Sequence, residues 1–215
     1  MTDRHITLFH SPQTRSSGAL LLLEELQADY TVQALNMKAG EHRQGAYLAI
    51  NPMGKVPAIR HGDTLITEQG AIYVYLADLY AQAGLAPAIN DPLRGAYLRW
   101  MFYYGSSFEP AVVDRAQKVV PPQGMSPYGD FDTMLKTLTD QLERGPYLLG
   151  ERFSAADVLW GGALGWTTQF GLVPKLPVIE AYIARHNAWP AVAKVQASDA
   201  QLAAQHAAAA AAQQK

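Results

Sequence analysis

The sequence predicts a mixed α/β domain followed by an all-helical domain. Three observations predict it. Strand-like and helix-like segments follow one another as βαβ and then ββα through Ala83. The stretch Gly84 to Pro92 holds Pro87 and Pro92 and no periodic pattern, as a domain linker does. Beyond it apolar residues recur at helical spacing and strand signals stop. The expected boundaries are therefore 1–83, a linker at 84–92 and a helical domain at 93–215.

The first strand is read at 5–10, where Ile6-Thr7-Leu8-Phe9 forms a short apolar run. Ser11-Pro12-Gln13-Thr14 is a polar turn, and a helix follows from Ser16 to Ala28, apolar on most sides through Leu20-Leu21-Leu22-Leu23. A second strand at 30–35 closes a right-handed βαβ unit. Lys38 to Gln44 reads as a loop and Asn51-Pro52-Met53-Gly54 as a turn. Val56 to Arg60 and Thr64 to Ile66 make a hairpin around His61-Gly62-Asp63. The helix from Gly70 to Ala83 places Ile72, Tyr75, Leu76 and Leu79 on one face. Further helices are expected at 93–119, 128–144, 155–170, 177–187 and 190–206, separated by Pro121-Pro122, Gly145-Pro146 and Pro174. The run Ala207 to Ala212 has no amphipathic face and is expected to fray.

Composition narrows the chemistry. With 215 residues, 49% hydrophobic and 17% charged, the chain is globular rather than disordered. A net charge of −2 without blocks of like charge does not suggest nucleic acid as a partner. Cysteine is absent, so any thiol chemistry needs a sulfur brought by a ligand. The polar start Met1 to His5 and the lack of a long apolar run lead to the expectation of a cytoplasmic protein with no membrane segment.

Three places carry candidate chemistry. Ser11, Thr14, Ser16 and Ser17 surround the start of the first helix, where a hydroxyl and the helix dipole can stabilise a thiolate; Arg15 adds positive charge. Capping and turn formation explain the same residues. Val56-Pro57 enters a strand after a turn, and on the residues alone this bond reads as trans. Thr67-Glu68-Gln69-Gly70 precedes a helix whose first N–H groups attract a carboxylate, although on the residues alone a helix cap by Thr67 or Glu68 is the better account.

Taken together, the run Asn51-Pro52-Met53-Gly54-Lys55-Val56-Pro57-Ala58-Ile59 and then Thr67-Glu68-Gln69-Gly70-Ala71-Ile72 resembles the glutathione-binding half of cytosolic glutathione S-transferases. Leu8 to Pro12 and Leu23-Glu24-Glu25-Leu26 resemble the first strand and helix of the family's bacterial theta-like and beta-like members, and Gly40-Glu41-His42 resembles the loop that theta-like members use at the glycine end of glutathione. Tyr147 to Asp157 resembles its buried helix start, in which Ser154 and Asp157 form a capping box. The resemblance implies a thioredoxin-like N-terminal domain plus an all-α C-terminal domain, a homodimer, a role in detoxification and glutathione as substrate, with no metal. It implies a cis bond before Pro57, with Val56 backbone groups pairing with the cysteinyl part of glutathione. Glu68 and Gln69 fall at the γ-glutamyl end, where Gln69 replaces the usual serine; His42 and Lys55 fall at the glycyl carboxylate.

By spacing, Thr14 stands where theta-like members carry an activating serine, and Arg15 where beta-like members carry cysteine. Thr14, then Ser16, then Ser11 are the candidate catalytic hydroxyls. The resemblance places Tyr103, Tyr104 and Phe108 at the site of a small hydrophobic electrophile, although the stripe Tyr97, Met101, Tyr104, Phe108 also reads as core. The implied activity is conjugation of the glutathione thiolate to that electrophile. The alternatives are glutathione-dependent peroxide reduction, isomerisation or dehalogenation, and a non-catalytic binding protein. Gly161-Gly162-Ala163-Leu164-Gly165 lies inside an expected helix and reads as a close-packing surface, not a nucleotide loop.

Overall fold

The computed structural model describes residues 4–213. The chain divides into a sheet-bearing unit, Met1–Ala83 with Pro190–Lys215, and a helical unit, Gly84–Trp189. In the first, β1 (Ile6–His10), α1 (Arg15–Glu25) and β2 (Tyr30–Ala34) form the βαβ element. A short helix, α2 (Gly45–Leu48), occupies a stretch to which the sequence assigns no element; then come β3 (Ala58–His61), β4 (Thr64–Ile66) and α3 (Gln69–Leu79). The sheet order is β2-β1-β3-β4. β1 runs parallel to β2 and antiparallel to β3, with His10 opposite Ala34 and Phe9 opposite Ala58. The central strand is fully buried at Ile6, Leu8 and Phe9, and α1, buried at Leu20 to Leu23, packs against it and against α3. The buried face of α3 is Ile72, Tyr73, Leu76 and Ala77, so Tyr73 takes the place expected for Tyr75, whose hydroxyl instead meets His61 Nδ1 at 2.6 Å.

The helical unit contains α4 (Arg94–Tyr103), α5 (Glu109–Gln117), α6 (Phe131–Leu142), α7 (Ala155–Gln169) and α8 (Pro177–Asn187). The continuous helix expected over 93–119 is broken by a π turn at Tyr104–Phe108. Pro110 is the cause: it has no N–H to donate and its ring displaces the carbonyl one turn earlier. Trp160 lies at the centre of this unit. Its ring sits 6.0 Å from Trp100, 5.7 Å from Tyr104 and 4.9 Å from Phe108, and its Nε1–H donates to the Trp100 carbonyl at 3.0 Å.

The close-packing reading of the glycine run holds at one position. A Cβ on Gly161 would lie 2.2 Å from the His186 ring, whereas Gly162 and Gly165 face open space. The last helix, α9 (Pro190–Gln213), departs from expectation twice. It groups with the sheet-bearing unit rather than with the helical one. It also runs on through the alanine stretch expected to fray, because alanine has the best helix propensity and each added residue extends an existing helix.

Candidate functional site

The site is built where β1 ends. The chain turns through Ser11 to Gln13, with Gln13 in the left-handed region (φ 58°), and enters α1. Thr14 caps that helix: its Oγ1 accepts the Ser16 N–H at 3.2 Å. The Thr14 hydroxyl lies 2.7 Å from the Ser11 carbonyl and 2.7 Å from Ser16 Oγ. Ser16 is fully buried, and its Oγ also accepts the Ser11 N–H at 3.0 Å. The Thr14 and Ser16 hydroxyls thus converge on the Ser11 backbone. Ser11 and Ser16 are enclosed, and Thr14 is the half-buried one, so it is the hydroxyl with surface to offer. Arg15 is exposed at the first position of α1.

Two residues of this cluster escape a reading of the sequence. His10 ends β1 with 1% of its surface exposed, and its Nδ1 lies 2.9 Å from Ser16 Oγ. Its Nε2 lies 3.0 Å from Asp199 Oδ1 on α9. Asp199 also accepts the Gln13 N–H at 2.9 Å and the Ser17 hydroxyl. Burial pushes the Asp199 carboxyl upward, but hydrogen bonds from His10, Gln13 and Ser17 outweigh it and hold the group below its ordinary value. No local signal marks the pair, since 189 positions separate the two residues.

The other candidates stand at the same end of the sheet. The Val56–Pro57 bond is cis. Pro57 leads into β3, whose Ala58 is paired with Phe9 beside His10. The preceding turn is braced from within: Asn51 Nδ2 and the Tyr47 hydroxyl both donate to the Lys55 carbonyl, at 2.9 and 2.7 Å. Gly54 adopts φ 59° and leaves no room for a side chain, because a Cβ there would lie 2.7 Å from the His42 carbonyl. That contact puts the His42 and Lys55 segments side by side, and the buried His42 Nδ1 has no hydrogen-bond partner. Glu68 is exposed at φ 66° before α3. Gln69 Nε2 reaches the Arg15 carbonyl and the Tyr73 hydroxyl, each at 3.4 Å, which ties the first residue of α3 to the first residue of α1. Its Oε1 is buried without a partner.

Both helix starts, the cis-proline turn and the hydroxyl cluster therefore meet at one edge, where N–H groups and helix dipoles favour an anion. Models of the N-terminal and C-terminal domains of glutathione S-transferase match residues 4–78 and 128–185. The chain belongs to the glutathione S-transferase family. A glutathione S-transferase of Hyoscyamus muticus is 30% identical over 186 residues, 80% of this chain and 88% of that protein. The disulfide-bond oxidoreductase YfcG of Escherichia coli (strain K12) is 28% identical over 200 residues, 86% of this chain and 92% of that one. The solved structure of a Sulfitobacter glutathione transferase homologue with bound glutathione superposes with a TM-score of 0.74 at 28% identity, covering 91% of this chain and 99% of that one. As a glutathione S-transferase family member, the chain keeps its candidate ligand residues together in the sheet-bearing unit.

The aromatic candidates belong to the helical unit. Tyr104 and Phe108 are 2% and 0% exposed and stack in the Trp160 cluster, so they are core side chains of that unit. Tyr103 is half-buried, with its hydroxyl donating to the Met134 carbonyl at 3.0 Å. Among the described residues no helix is long and apolar enough to cross a membrane.

Proposed function

We propose that this protein binds glutathione at the edge formed by the starts of α1 and α3 and conjugates it, through its thiolate sulfur, to small hydrophobic electrophiles. The observation that carries the proposal is the half-buried Thr14 hydroxyl at the N-terminus of α1, in the same unit as the cis Val56–Pro57 bond and Glu68. Thr14 is the catalytic residue: its O–H donates to the thiolate, and the helix dipole adds to the effect. Val56 pairs with the cysteinyl backbone, Glu68 and Gln69 hold the γ-glutamyl end with Arg15 nearby, and His42 and Lys55 take the glycyl carboxylate. The burial of Tyr104 and Phe108 leaves Tyr103 as the aromatic of the three with surface for an electrophile. A cytoplasmic homodimer acting in detoxification completes the proposal.

The test is Thr14→Val. Ultraviolet absorbance of bound thiolate should titrate about one pH unit or more higher, the loss of one charge-assisted hydrogen bond. Calorimetry should show glutathione affinity little changed. An unaltered titration removes Thr14 from this role. A second reading, glutathione-dependent disulfide reduction, is favoured by the likeness to YfcG. Two glutathione molecules would then supply the electrons and leave as glutathione disulfide, with no protein cysteine required. A product screen with an aryl halide, a hydroperoxide and a mixed disulfide separates the readings.

A further inference from the structure

Thr14 alone is enough to cap α1, yet a chain of buried polar groups runs on behind it. Ser16 is fully buried, and His10 and Asp199 are 1% and 6% exposed. We propose that His10, backed by Asp199, takes up the proton that a ligand thiol loses at Thr14, with the Ser16 hydroxyl as the link between them. This rests on the reading that glutathione sulfur lies at Thr14.

Counting donors and acceptors supports it. An ionised Asp199 facing His10 Nε2 at 3.0 Å requires a proton on that nitrogen. In the neutral ring Nδ1 is then an acceptor, and the O–H beside it, at 2.9 Å, is that of Ser16. Ser16 Oγ accepts the Ser11 N–H and keeps one lone pair, which meets the Thr14 hydroxyl at 2.7 Å. The hydroxyls thus align as Thr14 to Ser16 to His10. Thr14 Oγ1 accepts the Ser16 N–H and keeps one lone pair for an incoming S–H.

The transfer balances. The thiol proton passes to Thr14 Oγ1, the Thr14 proton to Ser16 Oγ, and the Ser16 proton to His10 Nδ1. The products are a thiolate accepting from Thr14, a Ser16 hydroxyl donating to Thr14, and an imidazolium paired with Asp199. Every lone pair and proton in the chain has a partner before and after. Both hydroxyls also lie within reach of the Ser11 carbonyl, at 2.7 and 3.0 Å, which offers a competing orientation that leaves His10 Nδ1 unpaired.

Asp199, from α9, is the charged group bonded to His10. On the other elements packed against it, α1 presents Ser16 and carries Arg15 exposed at its start, and β2 places Ala34 alongside. On β3, Arg60 lies over the Phe9 ring. His10 and Asp199 are positioning residues, because they reach the sulfur through Thr14 and Ser16.

Calorimetry of the full chain with glutathione, repeated in buffers of different ionisation heat, counts protons released; thiolate absorbance counts thiolates formed. Wild type is expected to form thiolate with clearly less than one proton released per thiolate. His10→Gln and Asp199→Asn should raise the thiolate midpoint by about one pH unit, roughly tenfold in the ionisation constant, and restore one proton per thiolate. Should either variant fail to fold, nitrogen NMR of His10 in wild type decides: Nε2–H without ligand, both nitrogens protonated once thiolate forms. Absence of glutathione binding overturns the functional reading and the relay with it. Binding with one proton released per thiolate, or an unchanged His10 ring, overturns the relay alone.

Discussion

Two helix starts in this protein bury an aspartate, and they spend it differently. At α7, Asp157 accepts from the Leu148 and Ser154 N–H groups at 2.8 and 2.9 Å, from the Ser154 hydroxyl at 3.0 Å and from Tyr182 at 2.7 Å. Its partners are backbone and hydroxyl groups, and burial prevails over them and pushes its carboxyl up. At α1, Asp199 comes from a distant helix and its partners include an imidazole; their hydrogen bonds prevail over burial and hold it down. The first arrangement locks a loop onto a helix. The second keeps a charge beside a group that can take a proton. A buried carboxylate is thus not itself a functional signal; a titratable partner is what separates the two.

The largest effect should come from Asp157→Ala. It strands two buried N–H groups and the Tyr182 hydroxyl, and should cost about 3–5 kcal/mol in urea denaturation of the full chain. A cost below that of an ordinary surface change would break the contrast by showing the network to be slack. Next, Gly161→Ala presses a methyl against the His186 ring 2.2 Å away and should cost about 1–3 kcal/mol. Gly162→Ala, next to it in open space, should instead stabilise the helix by about 0.5–1 kcal/mol. Equal thermal shifts for the two would refute the packing account.

The pH dependence should have opposite signs at the two aspartates. A carboxyl held below its ordinary value stabilises the fold above that value, and the gain is lost as pH falls through the folded-state pKa. The margin of wild type over Asp199→Asn should therefore shrink below about pH 4. A raised carboxyl does the reverse. Relative to Asp157→Asn, wild type should gain stability as pH falls from neutral towards that range. Denaturant midpoints from pH 3 to 7 (roughly the span of carboxylate titration) read both slopes. The smallest effect belongs to the ion pair of Lys194 and Glu24, 2.6 Å apart with the lysine side chain 67% exposed. Lys194→Ala should cost about 0.5 kcal/mol or less.

Much of the site is legible in local sequence. Thr14 before an apolar helix, Asn51 to Gly54 before Pro57, and the capping box at Ser154 and Asp157 each depend on neighbours a few positions away. The sequence marks the hydroxyls as a set but not that Ser11 and Ser16 are enclosed while Thr14 is half-buried, because enclosure depends on what packs above them. Tyr73 replacing Tyr75 on the buried face of α3 follows from Gly18 on α1, where a Cβ would lie 2.4 Å from the Tyr73 hydroxyl. The π turn at Tyr104–Phe108 had a visible cause in Pro110, but a periodic apolar pattern conceals it.

The order of strands and helices, the turn before the cis-proline and the caps on α1 and α7 came from the sequence alone, since nearest-neighbour sterics and unpaired helix N–H groups dictate them. The return of α9 to the sheet, and with it the meeting of Asp199 and His10, was decided by tertiary structure. Such a pairing is won by apolar burial and buried-charge compensation between segments 189 positions apart, and no local pattern encodes it.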